Sequence, residues 1–157
     1  MGAAYPELYV AVGVHSGLPL GAARDIPSAF AAMRNGAVGG RGGISPVPTI
    51  IFHGDQDTTV HPANGNAVAA QAVAPAAGLR PTVIRGEVPG GHTYTRTIHA
   101  DASGRGLCEH WAIHGTGHAW AGGSRFGSYT DPRGPDATRE MVRFFFEHAR
   151  DGTATVP

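Results

Sequence analysis

Two short runs constrain the fold more than anything else in the chain. Leu8–His15 reads Leu-Tyr-Val-Ala-Val-Gly-Val-His, and Pro48–His53 reads Pro-Thr-Ile-Ile-Phe-His. Both are apolar at nearly every position and rich in β-branched side chains. A strand with one wet face alternates between apolar and polar residues. A run without alternation needs cover on both faces, as in a parallel strand lying between helical layers. Each run stops abruptly, the first at Ser16-Gly17-Leu18-Pro19 and the second at Gly54. Helical patterns fall between and after them. Ser28–Arg34 forms a short helix, with Ser28 or Asp25 near its start. Pro62–Val73 is opened by its proline and carries Ala67, Val68, Gln71 and Ala72 at helical spacing. Asp136 caps a last helix in which Met141, Phe144, Phe145 and His148 share one face. Buried strands alternating with helices predict an α/β fold, mostly parallel.

The remaining segments add a hairpin and loops. Pro81–Val88 reads as a strand. Tyr94–His99 alternates and is rich in Thr and Ile, Asp101-Ala102-Ser103-Gly104 is a turn, and Leu107–His114 returns, so the two runs predict an antiparallel hairpin. Met1–Glu7 resembles the last turn of a helix stopped by Pro6. Gly36–Pro46 and Gly115–Pro135 read as loops. The 24 glycines and 12 prolines among 157 residues follow no period and sit between the apolar runs, which points to many turns rather than disorder. No repeat and no linker divides the chain, so residues 1–150 read as one folded unit and 151–157 as a tail.

Charge and composition exclude several function classes. Twelve basic and twelve acidic residues give a formal charge of zero and a pI of about 7.1. No basic stripe favours nucleic acid, and no charge run forms a tail. Nothing approaches the roughly 18 apolar residues of a membrane span. The N-terminus shows no signal-peptide pattern. The single cysteine, Cys108, cannot form an internal disulfide, and its apolar neighbour Leu107 fits a buried, inert thiol. No obligate protein partner is evident.

Two places carry chemistry. In His53-Gly54-Asp55-Gln56-Asp57-Thr58-Thr59-Val60-His61-Pro62, a buried strand runs into a glycine turn, aspartates follow and a helix begins. Functional groups of open α/β sheets gather at such carboxyl ends of strands. Aspartates also commonly satisfy the backbone groups of a turn, and that reading suits Asp55 and Asp57 equally well. In Ile113-His114-Gly115-Thr116-Gly117-His118-Ala119-Trp120, a second strand runs into glycines and presents a histidine. The glycines let the backbone turn sharply enough for the His118 ring to reach a cleft. Alone, His118 is as well read as a plain loop histidine. Together the two places present an acid and then a histidine, each after a strand. That is the later part of the Ser, Asp or Glu, His chain order of α/β-hydrolases.

These motifs, with Asn64-Gly65, His92-Thr93-Tyr94-Thr95-Arg96, Glu109-His110-Trp111 and Ser128-Tyr129-Thr130-Asp131-Pro132-Arg133-Gly134-Pro135-Asp136, resemble the poly(3-hydroxybutyrate) depolymerase family of esterases, to which feruloyl and acetyl-xylan esterases are related. The resemblance runs from Met1 to about His148. It implies the C-terminal part of an α/β-hydrolase fold, an ester substrate (a polyester or a plant-polysaccharide ester), no cofactor, and an extracellular location. It puts Asp57 at the acid position of a His-Gly-x-x-Asp-x-x-Val pattern, His118 at the catalytic histidine, and Trp120 on the substrate cleft; Asp55 falls in a variable slot. The family's nucleophile lies in a Gly-x-Ser-x-Gly elbow, and none of Ser16, Ser28, Ser45, Ser103, Ser124 and Ser128 has that setting. The resemblance implies that the nucleophile and the oxyanion donors lie upstream of Met1, and that this chain alone has essentially no esterase activity.

Two rival readings follow from the same residues. His110, His114 and His118 are four apart, but the run around them reads as strand, where four residues span about 13 Å, too far for ligands about 2.1 Å from one zinc. His53, Asp55, Asp57 and His61 are a looser metal option. Trp111, Trp120 and Tyr129 could instead form a platform for a sugar or polymer, making the chain a non-catalytic binding module. The plainer assignment leaves Trp111 in the core and Trp120 on a cleft.

Overall fold

The computed structural model describes residues 2, 4–37 and 47–149. A five-stranded sheet has the order β1-β2-β5-β4-β3. Its strands are β1 (Val12–His15), β2 (Thr49–Gly54), β3 (Arg80–Glu87), β4 (Thr93–Ala100) and β5 (Gly106–Ile113). β1, β2 and β5 run parallel, and β5, β4 and β3 form an antiparallel meander. The fold is therefore α/β with a mixed sheet. The expected hairpin is the β4–β5 pair, and β3 extends it by one more antiparallel strand. Its turn is held by Asp101, whose carboxylate accepts from the amides of Ser103 and Arg105.

Helices cover both faces. Alternation along β2 sends Ile50 and Phe52 to one side, where they pack with Trp111, Ile113, Met141 and Phe144 under α3 (Ala137–Ala149). Ile51 points to the other side and packs with Cys108, Val68 and Ala69 under α2 (Ala63–Val73). All six residues of β2 are buried, as an unalternating run requires. α1 (Ile26–Asn35) lies beyond α2 and begins with a capping box: the Asp25 carboxylate accepts from the Ser28 amide, and the Ser28 side chain bonds back to the Asp25 amide. Asp136 caps α3 through the Arg139 amide. On the α3 face, the buried Glu109 carboxylate accepts two bonds from Arg96 and one from Arg143, which ties β4, β5 and α3 together. Cys108 is fully buried and burial pushes its thiol up to about 12, so it is inert.

Two expectations fail at the start of the chain. The run Leu8–His15 is not a strand throughout. Ladder pairing begins at Val12, opposite Thr49, because β2 itself begins there. Among the described residues none pairs in a ladder with those before Val12, and Leu8 and Val10 are exposed rather than buried on two faces. Pro6 does not stop a helix: with its fixed φ it opens a 3-10 turn, Pro6–Leu8. Most of the expected loop Gly36–Pro46 and the tail 151–157 lie outside the described residues. Among the described residues, no helix is long and apolar enough to cross a membrane.

Candidate active site

The carboxyl ends of the three parallel strands lie side by side, and each delivers a histidine. β1 ends at His15, β2 carries His53 before its last residue, and β5 is followed by His114 and His118. The turn after β2 and the turn after β5 pack together closely. A Cβ on Gly54 would meet the carbonyl and hydroxyl oxygens of Thr116 and the carbonyl of Gly117 well inside van der Waals contact, so only glycine lets the turns approach this far.

This approach brings Asp57 and His118 together. The Asp57 Oδ2 is 2.8 Å from His118 Nδ1, which makes Nδ1 the protonated nitrogen facing an acceptor-only carboxylate. The Asp57 Oδ1 accepts from the amides of Thr59 and Val60 at 2.9 and 2.8 Å. The turn-satisfying and the histidine-orienting roles of this aspartate are thus both present, one on each oxygen. Its side chain has no solvent exposure. Burial works to raise its pKa, but the amides of Val60 and Thr59 and the bond from His118 outweigh it and hold the carboxyl below its ordinary value. The His118 ring is 33% exposed, and its Nε2 has no hydrogen-bond partner among the described residues. A histidine fixed on one nitrogen by a buried carboxylate and open on the other is the arrangement that general-base catalysis uses.

Asp55 faces elsewhere. Its Oδ2 is 2.9 Å from His114 Nδ1 and its Oδ1 accepts from the Gly115 amide at 2.8 Å. His114 Nε2 accepts in turn from the Thr95 hydroxyl at 2.9 Å. A third pair, His92 Nε2 with Asp131 Oδ2 at 2.8 Å, joins the segment after β3 to β7 (Thr130–Asp131). β7 pairs in parallel with β6 (Trp120–Ala121) in a separate two-stranded ribbon.

Trp120 follows His118 at the start of β6 and is 37% exposed. Its ring stacks on His15 at 4.7 Å, while its indole N–H donates to the Thr138 hydroxyl. Trp111 is in the core, as expected, with Phe52 and Tyr94 against it. Tyr129 lies on the exposed surface in a left-handed backbone conformation (φ 55°).

Sequence reasoning missed His15. Its Nε2 accepts from the Ala121 amide at 3.0 Å, so it anchors the segment that follows His118. Burial first, and the nearby His53 and His118 second, push its pKa down to about 4, with Asp57 partly opposing. The available sign was positional: like His53, His15 lies at the carboxyl end of an apolar parallel strand. His53 donates from Nε2 to the Val60 carbonyl at 2.8 Å and so braces the loop that carries the amides on Asp57. Its pKa is lowered, chiefly by burial.

Ser16 follows His15 in the left-handed region (φ 51°), with its hydroxyl 3.2 Å from His15 Nδ1. No hydroxyl bonds to His118 among the described residues. Among those residues no group of three or more His, Cys, Asp or Glu side chains is arranged to hold a metal ion. A cavity of about 390 Å³ lies on the α2 side, lined by Val12, Val14, Leu18, Val68 and Ala72, away from the titratable residues above. No protein-family model matches the chain, and a search of curated proteins finds no match.

Proposed function

We propose that the chain carries the acid and the base of a serine-esterase active site, the serine itself coming from outside the described residues. The observation that carries this reading is the Asp57–His118 pair: a buried carboxylate, locked by two amides, holding an imidazole whose other nitrogen is open. In the reaction, a serine Oγ attacks an ester carbonyl and passes its proton to His118 Nε2. The tetrahedral intermediate collapses, the C–O bond to the alcohol breaks, and the alcohol leaves with that proton. Water then hydrolyses the acyl-serine by the same route. Asp57 keeps His118 in the correct tautomer and stabilises the imidazolium that forms.

An α/β-hydrolase fold accounts for the placement. The acid follows one parallel strand and the histidine follows the next, in the family's chain order. The motif resemblance adds the substrate class, a polyester or an ester of plant polysaccharide, and an extracellular site of action. Trp120, exposed next to His118, is the residue for the substrate to lie against. No cofactor is needed.

The test uses the gene product with its upstream coding sequence, assayed on p-nitrophenyl butyrate. His118→Ala and Asp57→Asn are each expected to remove most hydrolysis, the second by about 10⁴-fold, the loss seen for the equivalent change in a serine protease. Residues 1–157 alone should show essentially none. Full activity in Asp57→Asn would sink the assignment.

A second reading, a non-catalytic polymer- or carbohydrate-binding module, draws on one observation: Trp120, Phe126 and Tyr129 are all exposed within ten residues of chain. Retention on insoluble polyester or xylan, with no hydrolysis by the upstream-extended protein, would favour it.

A further inference from the structure

Asp55 is the aspartate of the strand-end motif that the proposed chemistry leaves unused, and it does not act as a turn residue alone. Besides the Asp57–His118 bond, four hydrogen bonds join the turn after β2 to β5 and the turn that follows it. Two are between backbones: the Asp55 amide donates to the Ile113 carbonyl and the Gln56 amide to the Thr116 carbonyl, both at 3.0 Å. The other two end on the Asp55 carboxylate, one from the Gly115 amide at 2.8 Å and one from His114 Nδ1 at 2.9 Å. His114 is itself fixed from behind. Its amide donates to the Thr93 carbonyl and its Nε2 accepts from the Thr95 hydroxyl, both at 2.9 Å. Asp57 lies two residues past Asp55, and His118 lies four past His114. The zipper thus sets the spacing of the two turns just before each delivers its half of the Asp57–His118 pair.

We infer that Asp55 and His114 are positioning residues, a clamp that sets the distance and orientation between Asp57 and His118. The inference rests on the esterase reading only for its consequence in catalysis; the clamp itself is geometric.

Two facts favour positioning over the alternatives. The side chains of Asp55 and His114 are 40% and 41% exposed, and a carboxylate–imidazole pair so open to water adds little to global stability. Its three-partner geometry is better explained by what it aligns. Thr95, His114 and Asp55 are also ordered like a nucleophile, base and acid. Thr95, however, lies within β4, between strands on both sides, so the ladders claim the backbone amides around it and leave no amide pair for an oxyanion. Misplacement of a catalytic group by about 1 Å can cost on the order of 10²-fold in rate, so a clamp of small energy can matter.

The test reads the pair directly, without turnover. In protein labelled with ¹⁵N-histidine, the His118 Nδ1–H bonded to Asp57 should give a low-field, slowly exchanging resonance, assigned by its loss in His118→Gln. Asp55→Asn and His114→Gln should each speed its exchange by about tenfold or more, while the backbone amide spectrum of β1, β2 and β5 keeps its dispersion. The double variant should exchange no faster than either single one, because both act through one contact. Wild-type exchange in both single variants overturns the clamp, as does an additive double variant. Asp57→Asn separates the two claims. If it leaves the resonance unchanged, the Asp57–His118 pair fails; if it removes the resonance while Asp55→Asn and His114→Gln do not disturb it, the pair stands and the clamp fails.

Discussion

Asn64 is completely buried, and a buried amide must spend its hydrogen bonds inside the protein. Its Nδ2 donates to the carbonyls of Ala32 and His61 at 2.9 and 3.1 Å, and its Oδ1 accepts from the Ala37 amide at 2.9 Å. The Ala32 carbonyl is one of the four that α1 leaves unpaired at its C-terminus. A neighbour, the Met33 carbonyl, is taken by the His61 amide. One side chain therefore closes α1 and holds it to the loop that follows Asp57. Asn64→Ala orphans two backbone groups, the Ala32 carbonyl and the Ala37 amide, since the His61 carbonyl still accepts from the amide of residue 64; each is worth about 1–3 kcal/mol when buried. Partial rescue by water brings the expected loss to about 2–4 kcal/mol, read as a lower urea midpoint; a change under about 0.5 kcal/mol would show that the network is dispensable. Asn64 was visible in the sequence only as part of a motif, since nothing in its neighbours tells a buried network from a helix-surface amide. Asp57 and Asp55 raise the same difficulty. The turn residues alone suited both, and only the motif resemblance singled out Asp57. What separates them physically is a contact 61 residues away for one and 59 for the other.

At the scale of elements, the turns after β2 and β5 behave as one unit, and Gly54 is where they touch. Alanine there would drive its methyl into two backbone carbonyls and the Thr116 hydroxyl. Backbone carbonyls cannot swing aside as the tip of a side chain can, so the turns must separate. Overpacking of this kind costs about 1–3 kcal/mol. Gly54→Ala is expected to lower the melting temperature by several degrees and to loosen the His118 Nδ1–H signal along with it. An unchanged melt would mean that the turns have slack not visible in this packing. The strands behind these turns were legible because burial on two faces writes itself as unbroken apolar sequence, as in Thr49–Phe52. β1 was only half legible. Val10 and Val12 look alike as residues, yet Val12 has Thr49 to pair with and Val10 has no ladder partner among the described residues. An apolar run states that a segment can be a strand, and its neighbour decides how far the strand extends.

At the scale of the whole molecule, the packing of histidines around the sheet makes stability depend on pH in a definite direction. Burial, with His53 and His118 nearby, pushes His15 down to about 4. Burial, with His53 and His99 nearby, does the same to His110, whose buried Nε2 has no hydrogen-bond partner among the described residues. The unfolded chain titrates these rings near 6.5. Between pH 6.5 and about 4 the unfolded state therefore binds more protons than the folded one, and stability falls as pH falls. The contribution is complete above 6.5 and is lost on the way down to about 4. The buried carboxylate Asp57 and its counterpart Asp131 do not add to the fall in this window. Their folded pKa values lie below the ordinary 3.8, so their contribution is lost only in stronger acid. Each histidine can account for about 2–3 kcal/mol between pH 7 and pH 4.5, against a total of about 5–15 kcal/mol for a domain. Urea unfolding at pH 7, 5.5 and 4.5 should show this loss. His110→Leu provides the control: it removes a titrating ring and an unpartnered buried nitrogen at once, so it should gain stability at pH 7 and flatten the dependence. The molecule thus holds the carboxyl-terminal edge of its parallel strands together with imidazoles, His15 through the Ala121 amide and His53 through the Val60 carbonyl. Acid that charges His15 removes the acceptor of the Ala121 amide and must loosen the segment after His118, whereas a charged His53 still donates to the Val60 carbonyl. A stability that stays flat from pH 7 to pH 4.5 would show that these rings reach solvent and are not part of the folded edge.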